Sequence, residues 1–174
     1  MTQSIIAYVP KPGDLGIVST NGLAARLIQV GTVSRWNHVF IYIGPTLVDG
    51  IWYDMVEATP SGVKYGNTTE YTNIVYNKHQ VFNNEEVDRA FIVAYARGLV
   101  NKPYNWVNIF RIAFRILGLK IFANTKLMKH LASKDGYICS EAGEEAYEKS
   151  GNPLVLKDAG ETSPGDLVVA FIYQ

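Results

Sequence analysis

Runs of β-branched and aromatic residues alternate along this chain with segments whose apolar residues recur at helical spacing. The clearest strand is the run from Trp36 to Ile43, which we expect to stop at Gly44-Pro45. Because successive side chains of a strand face opposite sides, His38, Phe40 and Tyr42 should share one face of it. The run from Ile51 to Ala58 follows after Asp49-Gly50, a turn that is typical of a hairpin.

Helical spacing is found in four places. We predict helices from Leu23 to Val30, from a capping box at Asn83 and Glu86 to near Gly98 or Asn101, from Pro103 to Gly118, and from Cys139 to Glu148. Further strands are predicted at 15–19, 63–65, 73–76 and 163–172. The segments 12–15 and 164–167 both read Pro-Gly-Asp-Leu, and each is expected to lead into a strand.

Length and composition favour one α+β domain over residues 1–174. The chain has 16 basic and 16 acidic residues, and its net charge of zero gives no electrostatic reason to expect a nucleic-acid partner. Its single cysteine excludes an internal disulfide. The first eight residues, Met1 to Tyr8, lack the basic and apolar regions of a secretory signal, and no apolar run is long enough to span a membrane. As encoded, we therefore expect a cytoplasmic protein, or one that is carried by a phage or another particle.

Cys139 is the first candidate for chemistry, because it lies where an irregular segment turns into a helix rich in Glu and Ala. Backbone N–H groups and the helix dipole at such a position favour the thiolate, which is the nucleophilic form of cysteine. The structural alternative is that Cys139 is simply a small buried apolar residue.

A thiolate nucleophile needs a base and a group that orients the base. Of the three histidines, His79 and His130 have polar or variable surroundings, whereas His38 opens the strongest predicted strand. Glu57 is the acid in an otherwise apolar stretch of the strand expected beside it. The alternatives are a histidine at a sheet edge and an edge-strand charge that discourages aggregation.

Other chemistries lack their motifs. The sequence has no Gly-x-Ser-x-Gly turn, no glycine-rich phosphate loop and no His-Glu-x-x-His segment, and its cysteine and histidines have no zinc-like spacing. We therefore expect no cofactor.

Five short motifs occur in an order that resembles a known family. They are Pro12-Gly13-Asp14-Leu15, His38 to Gly44, Val56-Glu57-Ala58, Cys139-Ser140-Glu141 and Pro164-Gly165-Asp166-Leu167. The series is similar to the circularly permuted NlpC-type papain-like amidases and cysteine peptidases of the YiiX-like group, in which histidine and glutamate precede the cysteine. The resemblance implies an antiparallel half-barrel sheet of about five to six strands with helices packed on it.

The resemblance also implies a cysteine hydrolase that cleaves an amide bond, in a peptide or an isopeptide such as a cell-wall peptide, through an acyl-enzyme. Cys139 would be the nucleophile, His38 the base and Glu57 the group that orients it, while Tyr137 and Ser140 are candidates for oxyanion or supporting roles. The expected partner is a small amide-linked substrate. The chain departs from the family in two places. It has Phe40 at a position where a glycine is usual, and we expect this phenylalanine to narrow the cleft. Its segment 103–134 is longer and more apolar than the family leads us to expect.

Two other functions stay open at this point. The apolar helix with Arg111 and Arg115 suggests membrane contact through residues 104–120, as in a lipid acyltransferase or thioesterase of the lecithin retinol acyltransferase-like type. The context Ile138-Cys139-Ser140-Glu141 differs from the Asn-Cys-Glu-His-Phe type of stretch of that group. The other alternative is a binding or virion-associated module that keeps the scaffold without activity.

Overall fold

A five-stranded antiparallel sheet is the framework of the molecule. The computed structural model describes residues 8–77, 87–107, 118, 136–156 and 159–173. The strands lie in the order β4-β3-β2-β1-β5. They are β1 (Leu15–Val18), β2 (His38–Val48), β3 (Ile51–Thr59), β4 (Gly62–Gly66) and β5 (Val75–Tyr76). The described helices are α1 (Leu23–Thr32), α2 (Arg89–Gly98), α3 (Cys139–Lys149) and α4 (Pro164–Tyr173). The α+β class and the antiparallel sheet with helices packed on it are thus confirmed.

The β2–β3 hairpin forms at the predicted turn. Asp49 and Gly50 have φ angles of 51° and 80°, as a two-residue turn between twisted strands requires. The prediction that β2 stops at Gly44-Pro45 is wrong, because the strand continues to Val48. The pairing of β2 with β3 shifts register between Tyr42 and Thr46, and Pro45 lies in this irregular stretch. A proline, which has no backbone N–H to donate, is tolerated at such a point because the regular hydrogen bonds between the strands are already interrupted there.

The two faces of β2 contribute to two separate clusters of buried side chains, as the alternation predicts. Val39, Ile41 and Ile43 belong to the main core. Phe40 packs with Val18 and Met55 in a smaller cluster.

Phe40 does not narrow the cleft, contrary to expectation. Its ring is 1% exposed and lies directly over Gly16 of β1, where a Cβ atom would overlap it. It stacks on Tyr71 with ring centroids 5.8 Å apart. The lack of a side chain at Gly16 therefore gives the phenylalanine its space inside the protein rather than in the cleft.

Helix α3 packs closely on the main core through small residues. A Cβ atom on Gly143 would lie 3.3 Å from Leu15 and 3.4 Å from Val39, so the helix approaches β1 and β2 at that point. Ala142 and Ala146 are also buried there. This contact fixes the start of α3, and with it Cys139, beside the beginning of β2.

The predicted last strand at 163–172 is wrong, because the segment from Pro164 to Tyr173 is helix α4. Asp166 accepts hydrogen bonds from both the backbone N–H and the hydroxyl of Ser163, and the Ser163 hydroxyl also accepts from the Asp166 N–H. With Pro164 at the first helical position, this forms a helix start, although the residues after it are β-branched. The two Pro-Gly-Asp-Leu segments therefore lead into different elements, a strand at 12–15 and a helix at 164–167.

Some predictions fall on residues that the structure does not describe. These are the capping box at Asn83 and Glu86, Arg111 and Arg115, and most of the segments 103–134 and 104–120. In the described part, α2 begins at Arg89, and Asp88 caps it by accepting from the Phe91 N–H at 2.9 Å. Within the described ranges, no helix has the length and apolar character needed to cross a bilayer.

Candidate active site

His38 and Glu57 face each other from adjacent strands. The Nε2 atom of His38 lies 2.7 Å from Oε2 of Glu57. Phe40 pairs directly with Glu57, so His38, two residues earlier on the same face of β2, is its diagonal neighbour. Because β2 and β3 are both interior strands, the alternatives of an edge histidine and an edge charge are wrong.

The Glu57 carboxylate has partners on both oxygens. The hydroxyl of Tyr71 donates to Oε2 at 2.6 Å, and the Lys64 ammonium lies 3.2 Å from Oε1. Burial would raise the pKa of Glu57, but the hydrogen bonds and positive charges around it outweigh burial and lower that pKa to about 2. The carboxylate is therefore ionised throughout the physiological range.

Cys139 begins α3, as predicted. The preceding Ile138 is extended, and its N–H donates to the Glu141 carboxylate at 3.3 Å, so the acidic residue lies at the helix start. The sulfur of Cys139 lies 3.9 Å from the carbonyl oxygen of Asn37, the residue before His38. The thiol is 3% exposed.

Asn37 holds the backbone beside this sulfur in place. Its side-chain oxygen accepts from the Thr20 N–H at 3.0 Å and from the Thr20 hydroxyl at 2.9 Å, while its amide group donates to the Thr20 carbonyl at 2.9 Å. The start of β2 is thereby joined to the segment that leads into α1.

The imidazole of His38 lies between an acid and a thiol. Burial would lower the pKa of His38, but hydrogen bonds to Cys139 and Glu57, together with their negative charges, raise it to about 9. At neutral pH this arrangement favours the imidazolium form of His38 beside the Glu57 carboxylate. An imidazolium in such a position is able to stabilise a neighbouring thiolate and to donate a proton.

A cleft opens beside these residues. Its volume is about 340 Å³, and it lies between the start of α1, the end of β3, His38, Tyr71 and Tyr104. Burial and then the charge of Cys139 raise the pKa of Tyr104. Asn37, whose carbonyl oxygen lies 3.9 Å from the sulfur, and His38 both line this cleft, whereas Cys139 is buried and is not among its lining residues.

The Tyr137 N–H and the Ser140 hydroxyl both donate to backbone carbonyls, and neither residue is among those that line the cleft. The Tyr137 N–H donates to the Pro103 carbonyl at 2.9 Å, and its side chain helps to raise the pKa of Tyr95, which burial raises most. The Ser140 hydroxyl is fully buried and donates to the Thr162 carbonyl at 2.6 Å. The contacts of both residues hold α3 against its neighbours.

Sequence reasoning missed four residues of the site: Asn37, Lys64, Tyr71 and Tyr104. The position of Lys64 could have been predicted from the sequence, because the turn between β3 and β4 places it directly opposite Glu57. Tyr71 and Tyr104 arrive from irregular segments and carry no periodic signal.

Comparisons with known proteins agree with the motif resemblance. No protein-family model matches the chain. The chain is 26% identical to the probable lipoprotein peptidase YaeF of Escherichia coli K12, over 95% of this chain and 65% of YaeF, so it spans about two thirds of that protein's length. Its fold is similar to the crystal structure of the metalloprotein YiiX from Escherichia coli O157:H7, with a TM-score of 0.52 and 17% identity over 84% of this chain and 70% of YiiX. The predicted resemblance to the YiiX-like group is therefore confirmed.

YiiX is a metalloprotein, but the residues of the site in this chain do not fit a metal centre. Among the described residues, no three His, Cys, Asp or Glu side chains are grouped as metal ligands would be. Both oxygens of Glu57 are already engaged by protein groups.

Proposed function

We propose that the protein is a cysteine peptidase or amidase, in which Cys139 is the nucleophile, His38 the general acid and base, and Glu57 the group that orients His38. The observation that carries this proposal is the position of His38, which is held to Glu57 at 2.7 Å and is close enough to Cys139 for the sulfur to raise the pKa of the imidazole. The similarity to a peptidase at 26% identity supports the same class of reaction. The order histidine, glutamate, cysteine is that of the circularly permuted branch of papain-like enzymes.

The reaction proceeds through a thioester. The Cys139 thiolate attacks the carbonyl carbon of the amide, and the His38 imidazolium gives its proton to the leaving amine as the C–N bond breaks. Water then attacks the thioester and loses a proton to His38, which releases the acid and restores the thiolate. Glu57 keeps its charge throughout and stabilises the imidazolium.

The backbone N–H of Cys139 is the proposed oxyanion donor. As the first residue of α3, Cys139 has an N–H with no acceptor within the helix, and the helix dipole adds positive potential at the same point. A carbonyl oxygen next to the sulfur would be stabilised there as it acquires charge.

The test is turnover of a library of peptide amides, read by mass spectrometry as released amine and as an acyl adduct on the protein. We expect Cys139→Ala and His38→Ala each to abolish turnover while circular dichroism shows an intact fold. Exposed Glu148→Gln is the matched control and should leave turnover unchanged. Persistent turnover by Cys139→Ala would overturn the proposal.

A further inference from the structure

A second pocket lies at the same end of the sheet as the cleft beside His38. It has a volume of about 630 Å³ and borders Ser19, which follows β1, and Val75, which begins β5. The cleft borders the start of β2 and the end of β3. Because these four strands lie side by side in the order β3-β2-β1-β5 and are antiparallel, both cavities open at one end of the sheet.

The pocket and the cleft share a wall. Three residues of the pocket are each bonded along the chain to a residue of the cleft, namely Ser19 to Thr20, Trp36 to Asn37 and Thr72 to Tyr71. Neighbouring strands are about 4.8 Å apart, and two such spacings place the pocket on the order of 10 Å from His38. An extended peptide spans that distance with about three residues. A substrate whose scissile bond lies beside His38 can therefore extend into the pocket.

Arg35 carries the one charge of the pocket's described lining. Its guanidinium carbon lies 4.6 Å from the centroid of the Trp36 ring, a distance at which the ring face attracts the cation. None of the ion pairs among the described residues involves Arg35. Glu70, the acid that precedes the 72–75 segment, accepts from the Asn67 N–H at 3.4 Å. A guanidinium that rests on a ring keeps the N–H groups of its own plane for a further partner, in the fork that fits a carboxylate.

Hydrogen bonds hold the backbone on both sides of this guanidinium. The side-chain amide of Gln29 donates to the Arg35 carbonyl at 2.8 Å and to the Ser19 hydroxyl at 3.3 Å, which joins two sides of the pocket. The Trp36 N–H donates to the Ser34 hydroxyl at 3.1 Å. Arg35 is thus presented from a fixed segment, so less conformational freedom is lost when it binds a ligand.

We infer that the pocket binds a carboxylate of the substrate through Arg35, and that the preferred substrate is an amide-linked peptide with an acidic group about three residues from the scissile bond. This inference rests on the proposed function, because it assigns the pocket to a substrate that reaches Cys139. A bidentate, charge-assisted bond to Arg35 offsets the loss of water from the carboxylate. Ser19, Thr72 and Asn73 surround it with neutral hydrogen-bonding groups.

The experiment uses pairs of peptide amides that carry glutamate or glutamine at one position, two to four residues from the scissile bond on either side. They are titrated against Cys139→Ala by calorimetry, so that binding is measured apart from turnover. We expect the glutamate form to bind about tenfold more tightly at one or more positions, and the difference to shrink as salt is raised. Equal binding of the two forms at every position, or no binding of any peptide, would overturn the inference.

Substitutions of Arg35 in the Cys139→Ala protein assign the preference to this pocket. Arg35→Gln should bring the ratio of the two affinities close to one, whereas Arg26→Gln, which removes the same charge from an exposed position of α1 outside both cavities, should keep the preference. Arg35→Glu should bind a lysine form more tightly than the glutamate form, a reversal that loss of the fold cannot produce. A preference that persists in Arg35→Gln, or no reversal in Arg35→Glu, would contradict the inference. The expected preference without turnover by the wild type would instead contradict the proposed function alone.

Discussion

Replacing Glu57 by glutamine removes the charge beside His38 and keeps the shape of the side chain. His38 lies 2.7 Å from the carboxylate, and its pKa is raised from 6.5 to about 9 despite burial. That rise corresponds to about 3 kcal/mol in favour of the imidazolium, supplied jointly by Cys139 and Glu57. Without the Glu57 charge, we expect the His38 titration to move down by about one pH unit or more.

The assay is a pH titration of the imidazole resonances by NMR. The chain has three histidines, so a His38→Asn variant identifies the relevant signals. Glu148→Gln, which removes an exposed negative charge, is the control and should leave the midpoint of His38 unchanged. A wild-type midpoint near 6.5, or the same midpoint in wild type and Glu57→Gln, would refute the proposed ion pair.

The same pair makes stability depend on pH in both directions. The pKa of Glu57 is lowered from 4.5 to about 2, so its contribution is present above pH 4.5 and is lost as pH falls through about 2. The pKa of His38 is raised, so its contribution is present below pH 6.5 and is lost as pH rises through about 9. The difference in free energy of unfolding between wild type and Glu57→Gln, measured in urea, should therefore be largest between pH 4.5 and 6.5. A difference that does not vary with pH would contradict this assignment.

Three further substitutions test the surroundings of the site. Tyr71→Phe removes the 2.6 Å hydrogen bond to Glu57. We expect kcat to fall about tenfold, which corresponds to roughly 1–2 kcal/mol, while KM changes little. An unchanged kcat would contradict a positioning role for Tyr71. Gly16→Ala should destabilise the fold by about 1–3 kcal/mol in urea because its Cβ overlaps Phe40, whereas Gly98→Ala, with open space around it, should not. Ser163→Ala should cost about 1 kcal/mol by loss of the α4 cap, and a thermal melt identical to wild type would argue against that cap.

The sequence predicts the parts of this fold whose determinants are local. The Asp49-Gly50 turn and the alternation along β2 are sufficient to predict the hairpin, and therefore to place His38 and Glu57 on one face of adjacent strands. The cysteine at a helix start follows from the composition after Gly136. The motif order adds the expected resemblance to the YiiX-like group.

The wrong predictions have physical causes of two kinds. At 163–172 the β-branched run indicates a strand, but the cap of Ser163 and Asp166 and packing of Leu167 and Val168 in the core outweigh that preference. The prediction that Phe40 narrows the cleft was wrong because the position of its ring depends on a tertiary contact. The ring lies over Gly16 of a neighbouring strand, which has no side chain in its way. Tyr71 and Tyr104 reach the cleft from irregular segments, which no periodic pattern can place.

The most direct test of the site is the rate at which iodoacetamide alkylates Cys139 at pH 6, followed by intact mass. The chain has one cysteine, so the adduct reports this sulfur alone. If the imidazolium of His38 stabilises a reactive thiolate, wild-type protein should react rapidly, and His38→Asn should react at least tenfold more slowly. Equal rates in the two proteins, or a wild-type thiol that hardly reacts, would contradict the proposed active site.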